Sequence, residues 1–336
     1  MNKIKAFLAI LISAIITCSL SAAETLYSGE PRTIAHDFLE LEKNFGAEPG
    51  DYALLNNLIN RALTGVSCKK SSTTEDAVRT LMQIDALLKN EGFVFRSNYL
   101  LSKGIRTKLI DCDNYCTLYI AIGEIMNIPI VPVYAPDHSF VRFYFDDGSY
   151  LNWEPIQAVP QPDSYYIQQL NISAKSINRG VYLRTLTRQE FFAVQYNNIG
   201  SYLLMNKQYK EALIYFNTAI KLYPVFSSAW HNRGTAFYAL NMRKEALADL
   251  LKANELDPMR ASTHNTMGDI YLDRKEYEKA AEEYTASIKL NPVDYVTYNN
   301  MAYVMKMLGK NKESDAWLKK AQVIKEKHGI IKTSGD

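Results

Sequence analysis

Three residue types able to support nucleophilic chemistry fall in order within one short stretch of this chain: Cys112, His138 and Glu154. A thiol, an imidazole and a carboxylate in that order can serve as nucleophile, base and orienting acid if the fold brings them together. Cys112 directly follows Asp111, which has the form of a helix N-cap, so the positive end of the helix dipole would favour thiolate. Asp111 and Asp113 on either side oppose that effect. Asn152 rivals Glu154 for the task of holding the imidazole. Cys68, Cys112, Cys116 and His138 would be the zinc alternative, but Cys-x3-Cys without a second close pair is a weak metal pattern. Asp111, Asp113, Asp146 and Asp147 lack the ligand series of a calcium loop. Neither a metal nor a cofactor is therefore expected.

The elements around these residues read as one helix and then strands. Tyr115, Leu118, Tyr119, Ile122, Ile125 and Met126 recur at helical spacing, and Pro129 ends the run. Residues 130–134, 140–145 and 150–153 alternate or are β-branched, with Asp147-Gly148 as a hairpin turn. An α+β domain over 24–165 follows from this order. Before it, helices are expected near Ile34 to Leu41, from Asp51 to Leu63, and from Thr74 to a stop at Gly92. Lys103-Gly104 reads as a turn, and His36 as a surface or packing histidine. The stretch 166–192, which follows Pro155, Pro160 and Pro162 and holds Gly180, reads as a connector.

From about 193 to 328 the chain repeats every 34 residues. Pro224, Pro258 and Pro292 keep this interval, as do Gly200, Gly234 and Gly268 (then Ala302), and Ala212, Ala246 and Ala280 (then Ser314). Tyr196, Trp230, His264 and Tyr298 repeat with them. Small residues where helices cross and large ones where a neighbour is filled resemble tetratricopeptide (TPR) helix hairpins, four in number. In the fourth, Glu326 takes the proline position, as befits a terminal cap. Residues 329–336 form a tail. An all-α solenoid of this type would bind a protein or peptide in its concave groove. Asn197, Asn198, His231, Asn232, Asn265, Asn299 and Asn300 would line that groove; ordinary solvated helix surface is the competing reading of the same residues.

The first 23 residues have the form of a secretory signal peptide: Lys3 and Lys5, an apolar core from Phe7 to Ile16, and Ser21-Ala22-Ala23 before Glu24. Export to a periplasmic or extracellular space is expected. A lipid anchor at Cys18 fits less well, because Ile15, Ile16 and Thr17 precede it. The mature chain shows no other run long enough to span a bilayer. A net charge of +2, from 38 basic and 36 acidic residues, offers no field for nucleic acid. Without the leader, Cys68, Cys112 and Cys116 remain. Either Cys68 bridges Cys116 and leaves Cys112 free, or all three are reduced.

The spacing from Cys112 to Asn127-Ile128-Pro129, and from His138 to Glu154-Pro155, resembles the transglutaminase-like superfamily. Placing the nucleophile at Cys116 would spoil the first interval. Pro136-Asp137-His138 and the connector Tyr182-Leu183-Arg184-Thr185-Leu186, leading into the repeats, look like the bacterial SirB-type branch. The resemblance covers about 75 to 328. It departs from the usual pattern in having Glu154 for Asp, and Ser139-Phe140 where His-Ala-Trp is common. It implies a papain-like Cys112–His138–Glu154 set and thiol-dependent acyl transfer, as an amide hydrolase or transglutaminase. The alternative is a non-catalytic interaction adaptor on the same scaffold.

Overall fold

A computed structural model describes residues 32–67 and 73–329. The leader with Cys18, and Cys68, lie outside the described residues. Of two compact units, Met1–Thr33 and Ile34–Asp336, the second holds every element named below.

The N-terminal part is α+β. Helices α1 (Ile34–Leu41), α2 (Pro49–Gly65) and α3 (Thr74–Asn90) precede a short parallel pair, β1 (Val94–Phe95) and β2 (Leu109–Ile110), which flanks α4 (Leu101–Thr107). Then come α5 (Cys112–Met126) and an antiparallel sheet in sequence order: β3 (Ile130–Ala135), β4 (His138–Tyr144), β5 (Tyr150–Glu154) and β6 (Val159–Pro160). The expected turn at Lys103-Gly104 is instead helix. Gly104 is there for close packing, since a Cβ would stand 2.5 Å from the Ile110 side chain.

Helix α5 is the spine of this part. Asp111 caps it by accepting the Asn114 N–H at 2.9 Å, and Asn127 closes it in the left-handed conformation. Its residues from Asn114 to Gly123 are all buried, so it runs through the core rather than over it. Trp153 of β5 is fully buried and donates Nε1–H to the Tyr119 hydroxyl at 3.1 Å, tying sheet to helix. The connector region is more built than a loop. It contains α6 (Asp163–Gln169) and α7 (Ala174–Asn178), then pairs with the outer edge of β3 through Leu183 N–H to Tyr134 O (3.0 Å) and Leu186 N–H to Pro132 O (2.9 Å). An otherwise open sheet edge is thereby covered.

Eight helices follow as four hairpins: α8 (Arg188–Met205) with α9 (Tyr209–Leu222), α10 (Ser227–Ala239) with α11 (Arg243–Leu256), α12 (Ala261–Asp273) with α13 (Tyr277–Leu290), and α14 (Tyr295–Met307) with α15 (Asn311–Gly329). The repeated glycines are contact points: a Cβ on Gly200 would meet the Phe216 ring at 2.6 Å, and one on Gly268 the Tyr284 ring at 2.5 Å. The α+β core continues into the first hairpins through Phe38, Phe191, Tyr223 and Phe226. Farther along, small clusters join neighbouring hairpins, Ala246 and Leu250 with Met267 and Ile270, then Ala280 and Tyr284 with Met301 and Val304, as expected for a solenoid.

Candidate functional site

Strand β4 opens with His138, directly after a turn in which Asp137 takes a left-handed conformation (φ 50°). His138 and Glu154 are both on the face of the sheet that carries Phe140 and Arg142, since Arg142 and Asn152 fall opposite each other in the β4–β5 register and side chains alternate along each strand. His138 Nε2 is 2.7 Å from Glu154 Oε2, and Glu154 is only 3% exposed. With a carboxylate as acceptor, Nε2 is the donor of this pair. Glu154 Oε1 accepts the Ile156 N–H at 3.2 Å, and the Tyr166 hydroxyl of α6 adjoins the same carboxylate. The imidazole lies over the Phe140 and Tyr166 rings, which stack on each other at 3.8 Å.

Cys112, partly buried, begins α5. Its sulfur lies 4.0 Å from Asp113 Oδ1, near Ser139, the residue after His138, and within the field of Glu154. The helix dipole does not win here. Burial first, then Asp113 and Asp111, push the thiol well above the usual range. Cys116, one turn on, is a free and fully buried thiol, also pushed up by burial.

Asn152 does not face the imidazole. Its Oδ1 accepts from Arg142 Nε at 2.8 Å and its Nδ2 donates to Asp163 at 2.6 Å. Arg142, opposite Asn152 in the register, claims it.

The seam between the two parts brings in Arg260, Ser228 and Tyr134, which composition and spacing did not single out, and turns Asn198 from the expected groove onto Asp113. Asp113 accepts Ser139 Oγ–H at 2.5 Å and Asn198 Nδ2–H at 2.9 Å, so the first array helix reaches the residue beside the thiol. Arg260, whose side chain is 9% exposed, pairs with Asp137 at 2.8 Å beside the imidazole and donates to Ser228 Oγ. Tyr134 of β3 also meets Ser228, at 3.0 Å. The other groove candidates have mixed fates. Asn232 donates to Asn197 Oδ1 (2.9 Å), and buried His231 contacts Thr263 Oγ1 at 3.1 Å, with burial lowering its pKa to about 3. Asn265 accepts from Thr297, and Asn300 donates to Asp269. Asn299 is exposed. His36 contacts Asn56 at 2.7 Å. Among the described residues no cluster of three or more potential metal ligands is found, and no helix is long and apolar enough to cross a membrane.

The architecture is thus an α+β domain followed by an all-α TPR-like solenoid, the two sharing a hydrogen-bonded seam. Tetratricopeptide repeat family models match residues 196–226, 227–258 and 261–292. Among solved structures the chain is similar to the crystal structure of MamA (20% identity, 41% of this chain and 80% of that one, TM-score 0.39). It is also similar to MamA from Desulfovibrio magneticus RS-1 (18%, 40% and 76%, TM-score 0.38) and to PilF of Pseudomonas aeruginosa (18%, 42% and 64%, TM-score 0.40). Comparison with curated proteins finds no match.

Proposed function

We propose that this chain is a protein-binding adaptor whose array receives a partner segment on the inner face of its later repeats. The observation that carries this reading is how exposure changes along equivalent positions of the first helices. Val194 and Asn197 in repeat one are buried, as are Ser228 and His231 in repeat two. Ser262 is exposed and Asn265 half-buried in repeat three, and both Val296 and Asn299 are exposed in repeat four. The α+β domain covers the inner face early and leaves it open late. On α14 the open stripe continues through Tyr303 (53% exposed) and Met307 (43%), a helical spacing of apolar groups with an amide among them. A segment with two or three apolar side chains and an extended backbone fits that chemistry.

A photoreactive amino acid at position 303 of the full chain, expressed in its native host, should cross-link a discrete protein partner. The same group at exposed Leu251 on α11 should not. Equal cross-linking from both positions, or none from 303, would overturn the assignment.

A second reading, acyl transfer of the transglutaminase-like kind, is favoured by the 2.7 Å His138–Glu154 pair beside the start of α5. In it, Cys112 Sγ attacks an amide carbonyl while its proton passes to His138 Nδ1. The C–N bond then breaks, the amine leaves with that proton, and a thioester remains for water or a second amine. N–H groups at the helix start would face the oxyanion.

A further inference from the structure

Asp113 is a titratable group at the site that neither reading uses. Its Oδ1 lies 4.0 Å from Cys112 Sγ, and both of its oxygens carry a fixed donor. One donor, Ser139 Oγ, comes from the sheet. The other, Asn198 Nδ2, comes from α8, 85 residues along the chain, and Asn198 is 5% exposed. Two donors on one carboxylate favour its ionised form, and a negative charge beside a half-buried sulfur disfavours thiolate.

We propose that Asn198 is a positioning residue through which the first repeat keeps Cys112 closed. While α8 sits on the α+β domain, Asn198 holds Asp113 charged against the sulfur, and losing that donor within the buried site releases the thiol. The proposal deepens the acyl-transfer reading, on which it rests for what the released thiol then does.

The other titratable groups facing this point are Asp111 at the cap of α5, Glu154 on β5 and His138 on β4. Glu42, after α1, acts on Asp111, and Asp137 in the β3–β4 turn acts on Asp113. Asp137 is itself paired with Arg260 of the array. Of these groups, Asp113 is the one that both adjoins the sulfur and is held by α8. Burial also acts on Asp113 and raises its pKa, while Ser139 and Asn198 pull it down. Loss of Asn198 therefore moves Asp113 toward its neutral form.

The test is the pH profile of iodoacetamide alkylation at Cys112 in the full chain, resolved by peptide mass spectrometry. Asn198→Leu, which removes the donor but fills the space, should lower the profile's midpoint by about one pH unit, roughly tenfold in rate at neutral pH. Asp113→Asn should move it in the same direction by at least as much. The double variant should go no further than Asp113→Asn, because the two act on one charge. Mere loosening of the seam would raise the rate at every pH and leave the midpoint in place, which would overturn the proposal. So would an unmoved midpoint in Asp113→Asn, or additive shifts in the double variant. Should Asn198→Leu lack the native circular dichroism spectrum, Asn198→Ala takes its place with the same expected shift. A shifted midpoint without any acyl transfer to an added amine would count against the catalytic reading alone, leaving the closure by Asn198 standing.

Discussion

Trp153→Ala is expected to destabilise the folded chain by about 4 kcal/mol, in the range for removing a fully buried aromatic side chain. The indole is 0% exposed, and its loss opens a cavity between β5 and α5. It also leaves the buried Tyr119 hydroxyl without its donor. Trp153→Phe should recover about half of the loss, since the ring volume largely returns but the hydrogen bond does not. Urea unfolding followed by far-ultraviolet circular dichroism measures both. Because Trp153 lies between Asn152 and Glu154, the alanine variant should also slacken the His138–Glu154 contact. A loss below about 1 kcal/mol would mean that the sheet is not pinned to α5 by this residue.

Glu42 supplies the second large effect, as a dependence of stability on pH. Fully buried at the end of α1, its carboxylate accepts the N–H groups of Leu101 and Ser102, each at 2.7 Å, and the side-chain amide of Gln195 at 2.5 Å. It joins α1, the start of α4 and the first array helix. Burial outweighs these donors and pushes its pKa from 4.5 up to about 7. A carboxyl whose folded value is raised holds its proton more firmly in the folded state. The contribution is full below about 4.5, falls as pH rises, and is gone above about 7. The loss across that window is about 3 kcal/mol. Glutamine at this position cannot titrate. The stability of the native chain relative to Glu42→Gln should therefore fall between pH 4.5 and 7. A difference that is flat or rises across this range would contradict the assignment.

Much of the α+β domain can be read from local pattern. Ile34–Leu41, Thr74–Asn90 and Cys112–Met126 carry apolar residues at helical spacing with caps or breakers at their ends, and β3 to β5 carry β-branched and aromatic runs around Asp147-Gly148. The array is legible because each hairpin buries the same face against its neighbour, which imposes the 34-residue period on small and large residues alike. What escapes local pattern is long-range or short. Gly104 reads as a turn because its packing partner, Ile110, belongs to another element. Helices α6 and α7, of seven and five residues, are too brief to show a period. Asn152 and Glu154 share a face of β5, so alternation cannot choose between them; Arg142 on the neighbouring strand does. The grips of Asn198 on Asp113 and of Arg260 on Asp137 join positions 85 and 123 apart, and no motif announces them. Arg260, and the partner of Asn198, are visible only once the array is folded back against the α+β domain.

Cys112 and His138 thus share one corner of the molecule, and the array holds the acidic neighbour of each. The most direct test is the rate at which iodoacetamide modifies Cys112 in the intact native chain at pH 7, against a free cysteine peptide under the same conditions. Slower modification than in the peptide, with the midpoint of the pH profile above that of a free thiol, is the predicted result. A Cys112 that reacts faster than the peptide at neutral pH, and loses that advantage in His138→Ala, would contradict a closed site and make the resting chain an active thiol enzyme.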